Sequence, residues 1–158
     1  MQLEDQGFLQ LIRLAPLFSI DLVVVNNRRE LFVGKRVNSP AKDWWFVPGG
    51  RVYKDETLKN AFSRITLSEL GMEYDISKCQ PLGLYEHFYN VSMLCKGTST
   101  HYINMQYLIQ VNESETRAPN IQHHAYRWLS LDEVGQDPLM HKNSKLFTPS
   151  LFSALNNG

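Results

Sequence analysis

The stretch GGRVYKDETLKNAFSRITLSELGM, residues 49–72, decides how the rest of the chain is interpreted. Four apolar residues recur in it at the spacing of one helix face, namely Leu58, Ala61, Phe62 and Ile65. This periodicity predicts a helix from Asp55 to Leu70, with Asp55 as its N-cap and Gly71 as its C-terminal stop. The two glycines that precede the helix indicate a turn.

Apolar and β-branched runs on both sides of this helix predict strands. SIDLVVV and ELFVGKR form an antiparallel hairpin around NNRR, and further strands cover residues 81–90, 100–111 and 124–131. Helices are predicted at residues 4–14, after the SLDE capping box at residues 130–133, and in the tail, where Pro149 interrupts the pattern. The sequence therefore predicts one domain over residues 1–158, of class α/β (α+β), with a mixed β-sheet sandwiched between helices.

Charge and cysteine content restrict the function. Sixteen basic and sixteen acidic residues cancel, so no overall field attracts nucleic acid or a membrane surface, and phosphate affinity must come from local clusters. Acidic and basic residues interrupt the apolar N-terminal segment, which argues against a signal peptide or a membrane span. Cys79 and Cys95 form no CxxC pair. We therefore expect a cytoplasmic protein with free thiols.

The quoted stretch also carries five residues at fixed spacing, which are Gly50, Glu56, Arg64, Glu69 and Gly71. Five fixed residues at this spacing recur by chance in roughly one chain in ten thousand. The pattern resembles the Nudix box. In that family the helix presents acidic side chains to a divalent metal bound on a diphosphate, and the resemblance implies the same here.

The acidic series of the box is shortened in this chain. Where the family pattern has a glutamate after the arginine and then two adjacent glutamates, this sequence reads Ile65, Ser68 and Glu69. Helical neighbours three and four residues apart share a face, so one carboxylate is left there instead of three. We expect one Mg²⁺, or Mn²⁺ in its place, whereas attack on phosphorus is best supported by two or more metals.

The residues around the box resemble one branch of the family, the GDP-mannose mannosyl hydrolases. The matching segments are PLFSIDLVVVN, LFVGKR, WWFVPGGRVYKDETL, EHFY, THY and QHHAYRWL. The resemblance implies hydrolysis of GDP-mannose to GDP and mannose by water attack at the anomeric carbon, with inversion. It also implies a homodimer and a single divalent ion.

Metal ligands and a base follow from the same resemblance. The carbonyl of Gly49, the carboxylate of Glu69 and the side chain of Gln122 would hold the metal through oxygen. His123 would be the general base for the attacking water, with His124 as the competing candidate. Adjacent side chains of a strand point to opposite faces, so only one of the two histidines is expected to enter the site.

Substrate contacts are expected from basic and polar residues in the matching segments. These candidates are Arg36 and Arg51 for the diphosphate, Asp21 as an active-site carboxylate, and His87 and Tyr102 near the leaving group. Arg64 has two alternatives of equal weight, a contact to substrate or a structural pairing with Glu56.

Two other functions are compatible with the sequence. An orthodox Nudix pyrophosphatase would cleave the nucleotide sugar at phosphorus to GMP and a sugar 1-phosphate. A protein that has lost catalysis with its acidic residues would only bind nucleotide sugars. The preference for mannose, glucose or fucose is expected to depend on loops such as VSMLCKGTS, residues 91–99.

Overall fold

The computed structural model describes residues 5–37, 42–90, 97–112 and 123–157. Its strands are β1 (Leu17–Asn26), β2 (Glu30–Arg36), β3 (Trp45–Phe46), β4 (Gly49–Arg51), β5 (Gln80–Tyr89), β6 (Thr100–Val111) and β7 (His123–Ser130). Its α-helices are α1 (Asp5–Leu14), α2 (Leu58–Leu70), α3 (Leu131–Val134) and α4 (Thr148–Asn156). Short 3-10 helices cover Ile76–Lys78 and Lys142–Lys145.

The strands form one mixed sheet that forks along β1. The sheet runs β3-β2-β1-β6-β5, with β7 added to β2 and β4 added to β1. β1 and β6 are parallel, and the other pairs are antiparallel. Near its end β1 pairs with β2 at Val25, whereas Ser19 to Asp21 pair with β4 instead. The hairpin strands thus separate before Asp21, where β4 takes the place of β2 beside β1.

Alternation along β1 divides the apolar residues between two cores, one on each face of the sheet. Ile20, Leu22 and Val24 pack with Phe62 and Ile65 of α2. On the opposite face, a second core joins Val23, Val25, Leu108, Met140, Phe147 and Leu151, so that α4 covers this side. Each fully buried side chain of this size stabilises the fold by about 1.5–3 kcal/mol. The predicted mixed sheet between helices is confirmed.

The start of α2 differs from the sequence prediction. Thr57, not Asp55, caps the helix, because its side chain accepts a hydrogen bond from the Asn60 N–H at 3.2 Å. Asp55 instead lies in the preceding turn with φ of 64°. The C-terminal prediction is confirmed, since Gly71 is left-handed with φ of 75° and donates its N–H to the Leu67 carbonyl.

The C-terminal helices also correct two details. Ser130 lies at the N-cap of α3 as predicted, but its side chain makes no capping hydrogen bond. Pro149 lies in the first turn of α4 and begins that helix instead of interrupting it. The first turn tolerates proline because an N–H there has no partner within the helix.

Two further predictions concern cysteines and membranes. Cys79 is a free thiol, and Cys95 lies outside the described residues. No helix within the described ranges is long and apolar enough to cross a membrane.

Candidate active site

An ion pair between Glu56 and Arg64 organises the loop that connects β4 to α2. The guanidinium donates to both carboxylate oxygens, at 2.7 and 2.8 Å, and also to the Arg51 carbonyl at 2.8 Å. Glu56 in turn accepts the Tyr53 N–H at 3.0 Å, and hydrogen bonding from Arg64 holds the Glu56 pKa below its usual value. The structural alternative for Arg64 is therefore observed, and its contact to substrate stays a prediction.

The two glycines of the box allow β4 to lie close to both β1 and α2. A Cβ on Gly49 would lie 2.4 Å from the Asp21 Oδ1 and 2.6 Å from the Ile20 carbonyl. A Cβ on Gly50 would lie 3.0 Å from Cγ1 of Ile65, whose side chain is only 1% exposed. The residue that replaces an acid of the box thus fills the core beneath the glycine turn.

Glu69 and Asp21 form an acidic pair near the fork of the sheet, in which Glu69 is buried and Asp21 is partly buried. Glu69 lies one helical turn beyond Ile65 and is 4% exposed. Burial, together with the charge of Asp21, raises the Glu69 pKa to about 7, against the opposing charge of Arg36. Burial likewise raises the Asp21 pKa to about 7, although a hydrogen bond to Asn104 and the charge of Arg36 oppose the shift.

This acidic pair fits a hard divalent cation. Gly49 is the strand partner of Asp21, the charge of Asp21 acts on Glu69, and carboxylate and main-chain oxygens of this kind suit Mg²⁺ or Mn²⁺. The described ranges contain no group of three His, Cys, Asp or Glu side chains that could hold a metal. Main-chain or substrate oxygens would therefore complete the coordination. Gln122, the third predicted ligand, lies outside the described residues.

Basic residues border the same region. Arg36 ends β2, and its guanidinium lies 5.3 Å from the Phe46 ring centre. Arg51 ends β4 and lies 4.3 Å from the Phe8 ring centre. Burial raises the Tyr102 pKa, and the charges of both arginines oppose that shift. Arg36, Arg51 and Tyr102 are therefore near one another, as a diphosphate site requires, while their contacts to substrate stay predictions.

The two predicted histidine positions differ in what the structure describes. His87 is 5% exposed, and burial with the nearby charge of His141 lowers its pKa to about 4, so it is a neutral imidazole near pH 7. His123 begins β7, and its backbone pairs with Arg36. The side chains of His123 and His124 lie outside the described part of the chain, so the choice of base stays a prediction.

The sequence analysis missed two groups of polar residues near the site. His141 stacks on Phe46 at 4.4 Å, and burial lowers its pKa to about 4. Asn104 and Gln106 of β6 are buried on the face that carries Asp21, and Asn104 donates to the Ser19 hydroxyl at 2.8 Å. Asn104 and Gln106, at alternate positions among the apolar residues of the middle of β6, were the available signal.

Comparison with known proteins assigns the class. The family model for the NUDIX domain matches residues 16–151, so the chain belongs to the Nudix family. Nudix hydrolases generally use divalent metal ions, which agrees with the donor set at Asp21 and Glu69.

Two curated relatives share most of the chain. The low-salt glycan biosynthesis protein Agl8 of Haloferax volcanii is 35% identical over 112 residues, which cover 71% of this chain and 70% of the relative. An RNA pyrophosphohydrolase of Pelagibacter ubique is 25% identical over 122 residues, which cover 73% of this chain and 77% of that protein.

Solved structures share the fold. A MutT NUDIX hydrolase from Burkholderia pseudomallei has a TM-score of 0.69 at 22% identity, covering 87% of this chain and 98% of that chain. The NUDIX domain of Shewanella oneidensis NrtR, solved with ADP ribose, has a TM-score of 0.68 at 16% identity and covers 89% of both chains.

Proposed function

We propose that this protein hydrolyses a GDP-hexose, with GDP-mannose as the first candidate, to GDP and the free sugar by water attack at the anomeric carbon. The observation that carries the proposal is the shortened acidic series of the box. Ile65 belongs to the core, and Glu69 is the remaining box carboxylate on this part of α2, where the charge of Asp21 acts on it. A cluster of metals for attack on phosphorus would need more acids on this helix face.

Attack at the anomeric carbon requires fewer metal-binding acids than attack at phosphorus. Water oxygen bonds to the anomeric carbon, the bond from that carbon to the β-phosphate oxygen breaks, and GDP leaves with the electron pair. GDP is a weakly basic leaving group, so Arg36 and Arg51 stabilise its charge without a carboxylic acid to protonate it. A divalent ion, when bound by Glu69 and the main chain of Gly49, supplies further positive charge at the diphosphate.

His123 is the proposed base. Its backbone pairs with Arg36, which supports a base at the start of β7 near one of the proposed diphosphate arginines. A neutral imidazole there accepts the proton of the attacking water on the face opposite GDP, which gives inversion. The glycan-related name of the relative from Haloferax volcanii supports a nucleotide sugar as substrate.

Isotope labelling tests the site of attack. The protein is incubated with GDP-mannose and Mg²⁺ in water enriched in heavy oxygen, and the products are analysed by mass spectrometry. We expect the label in free mannose and unlabelled GDP. Label in a phosphate product would refute attack at carbon.

Attack at phosphorus is the second candidate, because a relative over most of the chain is named an RNA pyrophosphohydrolase. It predicts GMP and sugar 1-phosphate from the same incubation. A third outcome, tight binding of GDP-mannose without any product, would indicate a binding domain. Replacing His123 with Ala is expected to abolish GDP release without abolishing nucleotide binding, which separates turnover from binding.

A further inference from the structure

Buried polar atoms without partners lie next to the acidic pair. Four side-chain atoms there have no hydrogen-bond partner among the described residues: the Oε1 and Nε2 of Gln106, the Oδ1 of Asn104 and the Nε2 of His87. Gln106 is 0% exposed and Asn104 is 1% exposed. Such groups are rare in folded proteins, since each unpaired buried donor or acceptor is destabilising.

The register of the strands places these side chains in one row on one face of the sheet. Gln106 lies directly opposite Asp21, and Asn104 lies directly opposite Ser19. On the other side of β6, His87 lies opposite Tyr102, two residues from Asn104 along the strand. Because residues opposite each other, and residues two apart, share a face, the row extends from Asp21 across β6 to β5.

The row has a different chemistry from the phosphate end of the site. Amides and a neutral imidazole offer donors and acceptors without net charge, whereas Arg36 and Arg51 offer positive charge. Phosphate oxygens only accept hydrogen bonds near neutral pH and prefer the guanidinium groups. Sugar hydroxyls both donate and accept, and they carry no charge, so they match the amides.

We propose that Asn104 and Gln106 form a neutral subsite that hydrogen-bonds the hexose hydroxyls, and that this subsite decides which nucleotide sugar is accepted. The inference rests on the proposed function in so far as the ligand is a nucleotide sugar. It moves the expected determinant of sugar choice from the loop at residues 91–99 to strand β6.

The subsite requires a ligand to enter this row from the end at Asp21. Asp21, at one end, is only partly buried and adjoins the diphosphate region, so the sugar attached to the β-phosphate would arrive at this end. Gln106 itself is closed off from solvent, so contact with a ligand requires its side chain to rotate. An amide without hydrogen bonds has none to break when it turns.

The test is the isosteric substitution Gln106→Met, with Gln110→Met as its matched control. Gln110 lies on the same strand but is exposed. Affinities for GDP and for GDP-mannose are measured by titration calorimetry with Ca²⁺ in place of Mg²⁺, and the cell contents are checked for intact nucleotide sugar. Catalytic efficiencies with Mg²⁺ are then compared for GDP-mannose, GDP-glucose and GDP-fucose.

We expect Gln106→Met to weaken GDP-mannose binding about tenfold while GDP binding changes less than about twofold. The ranking of the three sugars should flatten, and the melting temperature should rise, because two unpaired polar groups leave the interior. Gln110→Met should change none of these. Three outcomes would overturn the subsite: equal weakening for GDP and GDP-mannose, an unchanged sugar ranking, or a lower melting temperature with unchanged affinities. The last outcome would indicate a buried-water network only.

A second variant keeps the proposal testable if Gln106→Met does not fold. The double substitution Ser19→Ala/Asn104→Leu removes both partners of their hydrogen bond together. It also removes the hydrogen bond between Asn104 and Asp21, so the loss of affinity is again compared between GDP-mannose and GDP. The same selective loss of sugar binding is expected, and its absence would refute the subsite. If the wild type binds GDP-mannose more tightly than GDP but forms no product, the proposed hydrolysis fails while the subsite stands.

Discussion

At the scale of single residues, Glu69 is the clearest case of a side chain whose environment opposes its charge. It is buried under the fork of the sheet beside a second carboxyl group, Asp21, and both pKa values rise to about 7. A folded protein keeps such a pair at the expense of stability, as is common for binding and catalytic groups. The residue-scale prediction therefore concerns activity and stability together.

Replacing Glu69 with Gln should lower the proposed turnover of GDP-mannose by about two orders of magnitude or more, because the proposed carboxylate ligand of the metal is lost. The same change should raise the free energy of unfolding of the metal-free protein at pH 8 by about 1–3 kcal/mol, since a desolvated charge is removed. Steady-state GDP release and urea unfolding measure the two effects.

Glu73→Gln is the control for this substitution, because Glu73 is an exposed carboxylate just beyond the end of α2. It should leave both turnover and stability nearly unchanged. Full activity of the Glu69 variant would remove Glu69 from the proposed metal site.

At the scale of elements, the contact between β1, β4 and α2 holds the site together. Gly49 and Gly50 let the short strand β4 lie against Asp21 on one side and Ile65 on the other. The ion pair of Arg64 and Glu56 then closes the loop that leads into α2. Strand, loop and helix therefore position Glu69 as one unit.

Gly49→Ala should disrupt this unit. Its Cβ would lie 2.6 Å from the Ile20 carbonyl, a backbone atom that cannot rotate away, so β4 must separate from β1. We expect a loss of stability of about 2 kcal/mol or more and a loss of turnover. Gly7→Ala in α1 is the control, because nothing lies within 4 Å of its Cβ, and it should raise stability by about 0.5–1 kcal/mol. Thermal melts and activity assays of both variants test this prediction. Equal stability and activity of the two variants would contradict the close packing of Gly49 against β1.

Arg64→Met should also weaken the unit, since Glu56 would lose both hydrogen bonds from the guanidinium and the Arg51 carbonyl would lose its donor. A double-mutant cycle with Glu56→Gln should give a coupling energy of about 1 kcal/mol in the free energy of unfolding. A coupling near zero would show that the pair does not stabilise the loop.

At the scale of the whole molecule, buried carboxyl groups and buried imidazoles change the stability of the fold in opposite directions as the pH rises. Between their ordinary values and about 7, Asp21 and Glu69 bind more protons in the folded protein, so their contribution to stability falls as pH rises through that window. His87 and His141, with pKa values lowered from 6.5 to about 4, bind fewer protons when folded. Their contribution therefore rises with pH between about 4 and 6.5.

The acidic pair should make stabilisation by divalent metal depend on pH. Mg²⁺ must displace protons from Asp21 and Glu69 below about pH 7 but not well above it, so the rise in melting temperature caused by Mg²⁺ should grow from pH 5.5 to pH 8. Differential scanning fluorimetry with Mg²⁺ or with EDTA measures this difference. The double variant Asp21→Asn/Glu69→Gln should lose the Mg²⁺ effect at every pH, and its retention would place the metal elsewhere.

The sequence by itself predicted the helix of the box and most strands of the sheet, because alternation, helical periodicity and turn residues are local patterns that each element repeats along the chain. The spacing of the box residues gave the resemblance to the family. The short strands β3 and β4 and the parallel pairing of β1 with β6 were not predicted. The sequence also indicated that Ile65 had replaced an acid. Local pattern gave Asp55 as the cap, whereas Thr57 caps the helix, because the path of the preceding loop selects which side chain can accept the hydrogen bond.

Only the tertiary structure decided which polar residues meet. Asp21, Glu69 and Gln106 are far apart in the chain. The fork in the sheet and the packing of α2 against it raise the pKa values of Asp21 and Glu69 and leave the amide of Gln106 without hydrogen bonds. Desolvation and charge interaction depend on distances across strands, and no spacing along a sequence specifies those distances.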